Sequence, residues 1–134
     1  MTRRLILTGA IGTAVMALVA AAPPASLNQV QPGLWEIQGV PGVTGVARQC
    51  VADVSILTRF EHRTKNCTEK QLKAAGSESD FDYTCGSAGF GHSEVTVITP
   101  RSLKISTQGI SGGLPFNYVL QARRVADCPV APRH

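Results

Sequence analysis

Phe116-Asn117-Tyr118-Val119-Leu120-Gln121-Ala122 is the stretch that decides the fold. Phe116, Tyr118, Leu120 and Ala122 recur every second residue, with Asn117 and Gln121 between them. In an extended chain successive side chains point to opposite faces, so this period of two predicts a strand buried on one side. The same reading extends outward. Toward the N-terminus, Gly109–Pro115 reads as a glycine-rich loop, and before it Leu103, Ile105 and Thr107 share a strand face. Pro100-Arg101 is a turn signal, and Glu94–Thr99 alternates around Val95, Val97 and the larger Ile98. Gly86–Gly91 reads as a second glycine-rich connection. Toward the C-terminus, Arg123–Cys128 continues or ends the strand.

The first half of the chain and the stretch up to Cys85 supply four further strands. Gly33–Gln38 places Trp35 and Ile37 on one face, Pro41-Gly42 is a turn, and Val43–Cys50 returns as the partner of a hairpin. Thr68–Lys73 and Asp80–Cys85 flank a turn at Ala75-Gly76-Ser77, with Phe81, Tyr83 and Cys85 on one face. Only residues 53–64 change period. Val54, Leu57 and Phe60 recur at helical spacing, Asp53 suits an N-cap, and Glu61 stands four residues before Lys65. Seven short strands joined by tight turns predict a mainly β fold: an antiparallel meander forming a small barrel or half-barrel, with one short helix.

Four cysteines, Cys50, Cys67, Cys85 and Cys128, predict two disulfides. If the Gly76 turn is the centre of a hairpin, Cys67 and Cys85 lie nine residues either side of it and face each other. Cys50 and Cys128 would then pair. The alternative joins Cys50 to Cys67 across the helical segment, and Cys85 to Cys128. There is no Cys-x-x-Cys, and the spacings are not those of a zinc site. With seven aromatic residues in the whole chain, each bridge matters, at about 2–4 kcal/mol.

The N-terminus carries Arg3-Arg4, an uncharged run from Leu5 to Ala22, small residues, then Pro23-Pro24. That order predicts a signal peptide over residues 1–21, cut before Ala22, with a cut before Ser26 as the second option. The run is close to the roughly 20 apolar residues a membrane span needs, but its glycines, threonines and many alanines make it a weak anchor. The paired arginines also resemble a twin-arginine signal, though such pairs are common in ordinary leaders. The predicted organisation is a signal peptide, a flexible lead-in over 22–31, one β-rich domain over 32–128 and a loose tail over 129–134. The predicted location is the periplasm, with membrane contact only during export. Cleavage would leave eleven basic side chains against nine acidic ones. These are scattered, with no basic stripe interleaved with aromatics, so nucleic acid is not an expected partner.

Few motifs carry chemistry. Gly109-Ile110-Ser111-Gly112-Gly113 matches a nucleophile elbow, and Asp127 and His134 follow in hydrolase order. An elbow needs a helix directly after the serine, whereas here Pro115 and a strand pattern follow. His62, His92 and His134 lack metal-ligand spacing, and Asp80 with Asp82 reads as a solvated strand face. Catalytic, metal and cofactor sites are therefore not expected, and the chain is not expected to be an enzyme. Trp35 reads first as a core anchor and second as part of a candidate ligand cavity with Phe81, Tyr83, Phe116 and Tyr118.

Taken together, several landmarks resemble a known family. They are Pro32-Gly33-Leu34-Trp35-Glu36, Gln49-Cys50-Val51, Asn66-Cys67, a strand ending in Cys85, and Arg123-Arg124 before Asp127-Cys128. The chain is similar to small exported proteobacterial proteins of the domain of unknown function 3617 family. That resemblance implies an envelope location and a compact β domain, and brings no catalytic residues. Departures include Ala122 where the family often has glycine, and Ala52-Asp53 after the first cysteine. The expected function is a binding or interaction module for an apolar ligand or an envelope partner. The alternative is a structural envelope protein without a small-molecule site.

Overall fold

The computed structural model describes residues 25–130, so the leader and cleavage site expected in 1–24, and the last residues of the tail, lie outside the described residues. The strands are β1 (Gly33–Gln38), β2 (Val46–Val51), β3 (Thr68–Ala75), β4 (Glu78–Thr84), β5 (Gly89–Thr99), β6 (Ser102–Ser111) and β7 (Leu114–Ala126). All pair antiparallel in one sheet, in the order β2-β1-β7-β6-β5-β4-β3. Strands β3 to β7 form an uninterrupted meander. The first hairpin docks on the far side of β7 through β1.

The sheet is open, which corrects the closed-barrel form of the expectation and leaves the half-barrel. Closure would need β2 to pair with β3. The chain that links these edges instead carries Leu57 and Phe60 into the core and packs helix α1 (Ser55–Thr58) against β5. The interior that a closed barrel would fill with its own strands is occupied by this connection.

Period-two alternation places the core. Ile37 stands opposite Ala122, which faces Leu103 in β6. One row along, Val95, Ile105 and Leu120 follow each other across three strands. All six are buried, and with Trp35, Val51 and Phe81 they form one cluster. Each valine, leucine, isoleucine or phenylalanine among them contributes about 1.5–3 kcal/mol when fully removed from water. The opposite face of the sheet is solvated and mixed, with polar side chains alongside exposed Val46, Phe90 and Val119.

The helix expected over 53–64 divides into two single turns. Asp53 Oδ1 accepts the Ser55 N–H at 2.9 Å and starts α1, but Arg59 (φ −127°, ψ 45°) leaves helical geometry. A 3-10 turn, Phe60–His62, follows. The Arg59 guanidinium donates to the carbonyls of His62 (3.3 Å) and Lys65 (2.9 Å), which satisfies groups that a continuing helix would have paired. Glu61 serves Tyr118 rather than Lys65: the phenol donates to Glu61 Oε2 at 2.6 Å.

The glycine-rich segments are mostly strand. β6 runs to Ser111 and β7 starts at Leu114, joined by Gly112-Gly113 with φ of +56° and +81°. Two successive positive φ values match the right-handed twist of a hairpin, and glycine supplies them without steric cost. The expected loop over 109–115 is therefore a two-residue turn, and Ser111 is a strand residue rather than an elbow. Likewise Gly86–Ala88 forms a 3-10 turn and β5 begins at Gly89. Ile98 faces solvent, beside an irregularity between Val97 and Thr99.

Disulfides join Cys67 to Cys85 and Cys50 to Cys128. The first bridges the open end of the β3–β4 hairpin. The second ties edge strand β2 to the chain beyond β7, across β1. Residues 25–31, within the expected lead-in, contain a 3-10 turn at Leu27–Gln29 and a buried Val30. The Gln31 N–H donates to Pro100 O at 3.0 Å, and the Gln31 carbonyl accepts the Trp35 indole N–H at 3.2 Å.

Candidate functional site

The five aromatic residues expected around one cavity are divided by the structure. Trp35 is fully buried in the packed core. Phe81 is also a core residue and reaches the floor of an open groove between α1, Leu27 and the β3–β4 hairpin. Tyr83 and Phe116 flank a buried histidine at the other end of the sheet. Tyr118 packs at the edge of the core and bonds Glu61. Burial, followed by that hydrogen bond, holds the Tyr118 phenol far above its usual range.

That histidine, His62, is the polar centre of the inner face. Its Nε2–H donates to Ala88 O at 3.1 Å. Its ring meets Tyr83 edge-on at a centroid distance of 5.5 Å and Phe116 at 5.9 Å. His62 Nδ1 and the Tyr83 hydroxyl are buried without a hydrogen-bond partner. Burial pushes the Tyr83 phenol up, opposed by the Thr107 hydroxyl, which is a neighbour without hydrogen-bond geometry. Thr107 accepts from Ser93 at 2.9 Å. Two rings of this layer, Tyr83 and Phe116, also line the groove on the outer face.

The outer face at the same end is different. Four strands meet there in register: Thr84 opposite Phe90, Phe90 opposite Ile110, Ile110 opposite Pro115. Two residues along each strand runs a parallel row of Asp82, His92, Gln108 and Asn117. Between the rows the chain is Tyr83, Gly91, Gly109 and Phe116, whose side chains, where present, turn to the inner face. The two glycines leave bare backbone, and the rows border an open groove of about 750 Å³.

Glycine is required at this floor by close approach. A Cβ on Gly91 would lie 2.5 Å from Tyr83 Cζ and 3.0 Å from Gln108 O. A Cβ on Gly109 would meet the Phe90 carbonyl and the Gly91 Cα, the latter at 2.6 Å. The aromatic rings of Tyr83 and Phe116 cover from inside what the glycines leave uncovered.

Phe90 is 53 % exposed and Leu114, beside Pro115 at the hairpin tip, is 72 % exposed. On the polar row, His92 Nδ1 is 2.7 Å from Asp82 Oδ1, which fixes the imidazole against the sheet. Its Nε2 is 3.8 Å from Glu94 Oε1. Sequence reasoning missed His92 and Phe90 as site residues. The available signal was distance from the Gly86–Ala88 turn: Asp82 and His92 are equally far from its centre, so an antiparallel hairpin sets them side by side.

The fold and site define a small disulfide-bonded β domain: an open sheet with a filled interior and a shallow groove on its outer face. Residues 30–128 match the family described as Protein of unknown function (DUF3617), and the chain belongs to that family. Comparison with curated proteins and with solved structures returns no match.

Proposed function

We propose that this chain is an exported binding module of the cell envelope, and that it takes its ligand on the outer-face groove rather than inside the half-barrel. Export is supported by the leader-like order of residues 1–24 and by two disulfides, which persist in oxidising compartments. Binding is supported by one observation above the others. Phe90, Ile110 and Pro115 adjoin one another on three paired strands at one end of the outer face, over a backbone floor. Contiguous apolar surface rimmed by polar groups marks interaction sites, because leaving it in water is unfavourable. The reading is one of binding without catalysis. The Asp82–His92 pair resembles an oriented base, but the residue next to His92 in β6 is Gln108, not a nucleophile.

Native mass spectrometry of protein isolated from the periplasm tests this, with wild type compared to Phe90→Ser/Ile110→Ser. The expected result is a mature mass lacking the leader, with an added ligand or partner mass that the double variant loses. A bare mature mass in both proteins, or an adduct unaffected by the substitutions, would support a purely structural envelope protein instead.

A further inference from the structure

The chemistry of the groove narrows its ligand class, on the assumption that the groove is a binding site at all. We infer that it takes a neutral glycan. Three features point there. First, the ionisable side chains that line it are Asp82 and His92, hydrogen-bonded to each other at 2.7 Å. No lysine or arginine lines the groove to attract an anion, and the carboxylates beside it, Asp82 and Glu94, both face the His92 ring. Second, the polar row ends in two neighbouring carboxamides, Gln108 and Asn117. A carboxamide donates and accepts, and so does a sugar hydroxyl. A row of carboxylate, imidazole and two carboxamides can pair with successive hydroxyls whichever way each one points. Third, the apolar row lies about 7 Å away, two residues along each strand. It offers the exposed Phe90 ring, with Ile110 and Pro115 beside it. The C–H-bearing face of a pyranose packs on such a ring, because the ring face is electron-rich.

The dimensions agree. Four strands span about 14 Å between the outer pair, which accommodates two or three sugar rings lying across the strands. A peptide fits less well. Peptide backbone would pair along β2, along β3, or along the stretch of β7 before Gln121, which β1 does not reach. The groove floor on β5 and β6 has a strand on each side and offers peptide backbone no free groups.

Amide correlation spectra of the mature, oxidised protein titrated with chitotriose, cellotriose and maltotriose separately provide the test. At least one sugar should move the amides of Phe90–His92, Gln108–Ile110 and Asn117, with weak affinity measured up to about 10 mM. Phe90→Ala should weaken that binding about tenfold or more, and Gln108→Ala/Asn117→Ala severalfold. Unchanged amide positions outside the groove show that the variants are folded. No shift with any of the three sugars, or shifts centred elsewhere, overturns the glycan assignment. If native mass spectrometry still shows an adduct lost in Phe90→Ser/Ile110→Ser, only the ligand class falls. If that adduct is absent too, the binding reading falls with it.

Discussion

Removing the Cys50–Cys128 bridge is expected to destabilise the domain more than removing Cys67–Cys85. The bridged residues are 78 and 18 positions apart. Loop-closure entropy lost by the unfolded chain then gives about 4.5 kcal/mol for the first bridge and about 3.2 kcal/mol for the second. The difference is about 1.3 kcal/mol, and each term is a large share of the roughly 5–15 kcal/mol available to a domain of this size. The structure points the same way. Cys67 and Cys85 flank a hairpin that local pairing already holds, whereas edge strand β2 has one neighbour and depends on its bridge. Cys85 is buried, so alanine replaces cysteine at all four positions to avoid an unpaired hydroxyl. Guanidinium unfolding followed by Trp35 fluorescence is the assay. Trp35 is the sole tryptophan and fully buried, so its signal reports loss of the core. A larger loss for Cys67→Ala/Cys85→Ala than for Cys50→Ala/Cys128→Ala would refute the reasoning, as would losses under about 1 kcal/mol in both.

Other predictions follow from single residues. Tyr118→Phe removes the 2.6 Å bond to Glu61 and should cost about 1.5–3 kcal/mol at neutral pH in urea unfolding. The folded state holds the Tyr118 proton where the unfolded chain, with a pKa near 10, releases it. Its contribution is therefore complete below about pH 10 and falls as pH rises above that, so the variant should lose stability less steeply on the alkaline side. Equal alkaline slopes would contradict the assignment. Gly91→Ala should cost about 1–3 kcal/mol by thermal unfolding, with no relief from Tyr83→Phe, because Tyr83 Cζ itself lies 2.5 Å from the new methyl. Trp35→Ala should cost about 3–5 kcal/mol, while Phe90→Ala stays within about 0.5 kcal/mol. Comparable losses at Trp35 and Phe90 would mean that the outer-face ring is structural.

Where one sheet face is buried, the strands were legible from alternation. Leu120 and Ala122, or Leu103, Ile105 and Thr107, cannot slip by one residue without exposing the whole set. The connecting helix was less legible, because Val54, Leu57 and Phe60 suit one helix or two separate turns equally well, and Arg59 breaks the path through its carbonyl contacts. The Cys67–Cys85 argument illustrates a compensated error. The hairpin turn is Gly76-Ser77, with Ala75 opposite Glu78. That register alone would set Cys67 against Gly86. An irregularity between Gln71 and Lys73 moves the pairing by one residue and restores Thr68 opposite Thr84.

The groove was the least legible feature. Its rows draw one residue from each of four strands, so no local window contains them. Each member also has an ordinary local reading: a glycine in a loop, a histidine on a surface, a phenylalanine beside a turn. Only the paired registers of β4 to β7 show Asp82, His92, Gln108 and Asn117 in line. Trp35 was legible, because its first reading as a core anchor is the one the structure holds. A lone tryptophan on a first strand carries the largest apolar surface in the chain, and packing claims it.

Amide spectra of native isolates, recorded before and after the bound material is stripped by unfolding and oxidative refolding, place any ligand directly. Differences confined to Phe90–His92, Gln108–Ile110 and Phe116–Asn117 are the predicted outcome. Differences centred on Trp35, Ile37 and Leu120 would move recognition into the interior, and identical spectra would leave the outer face without an occupant.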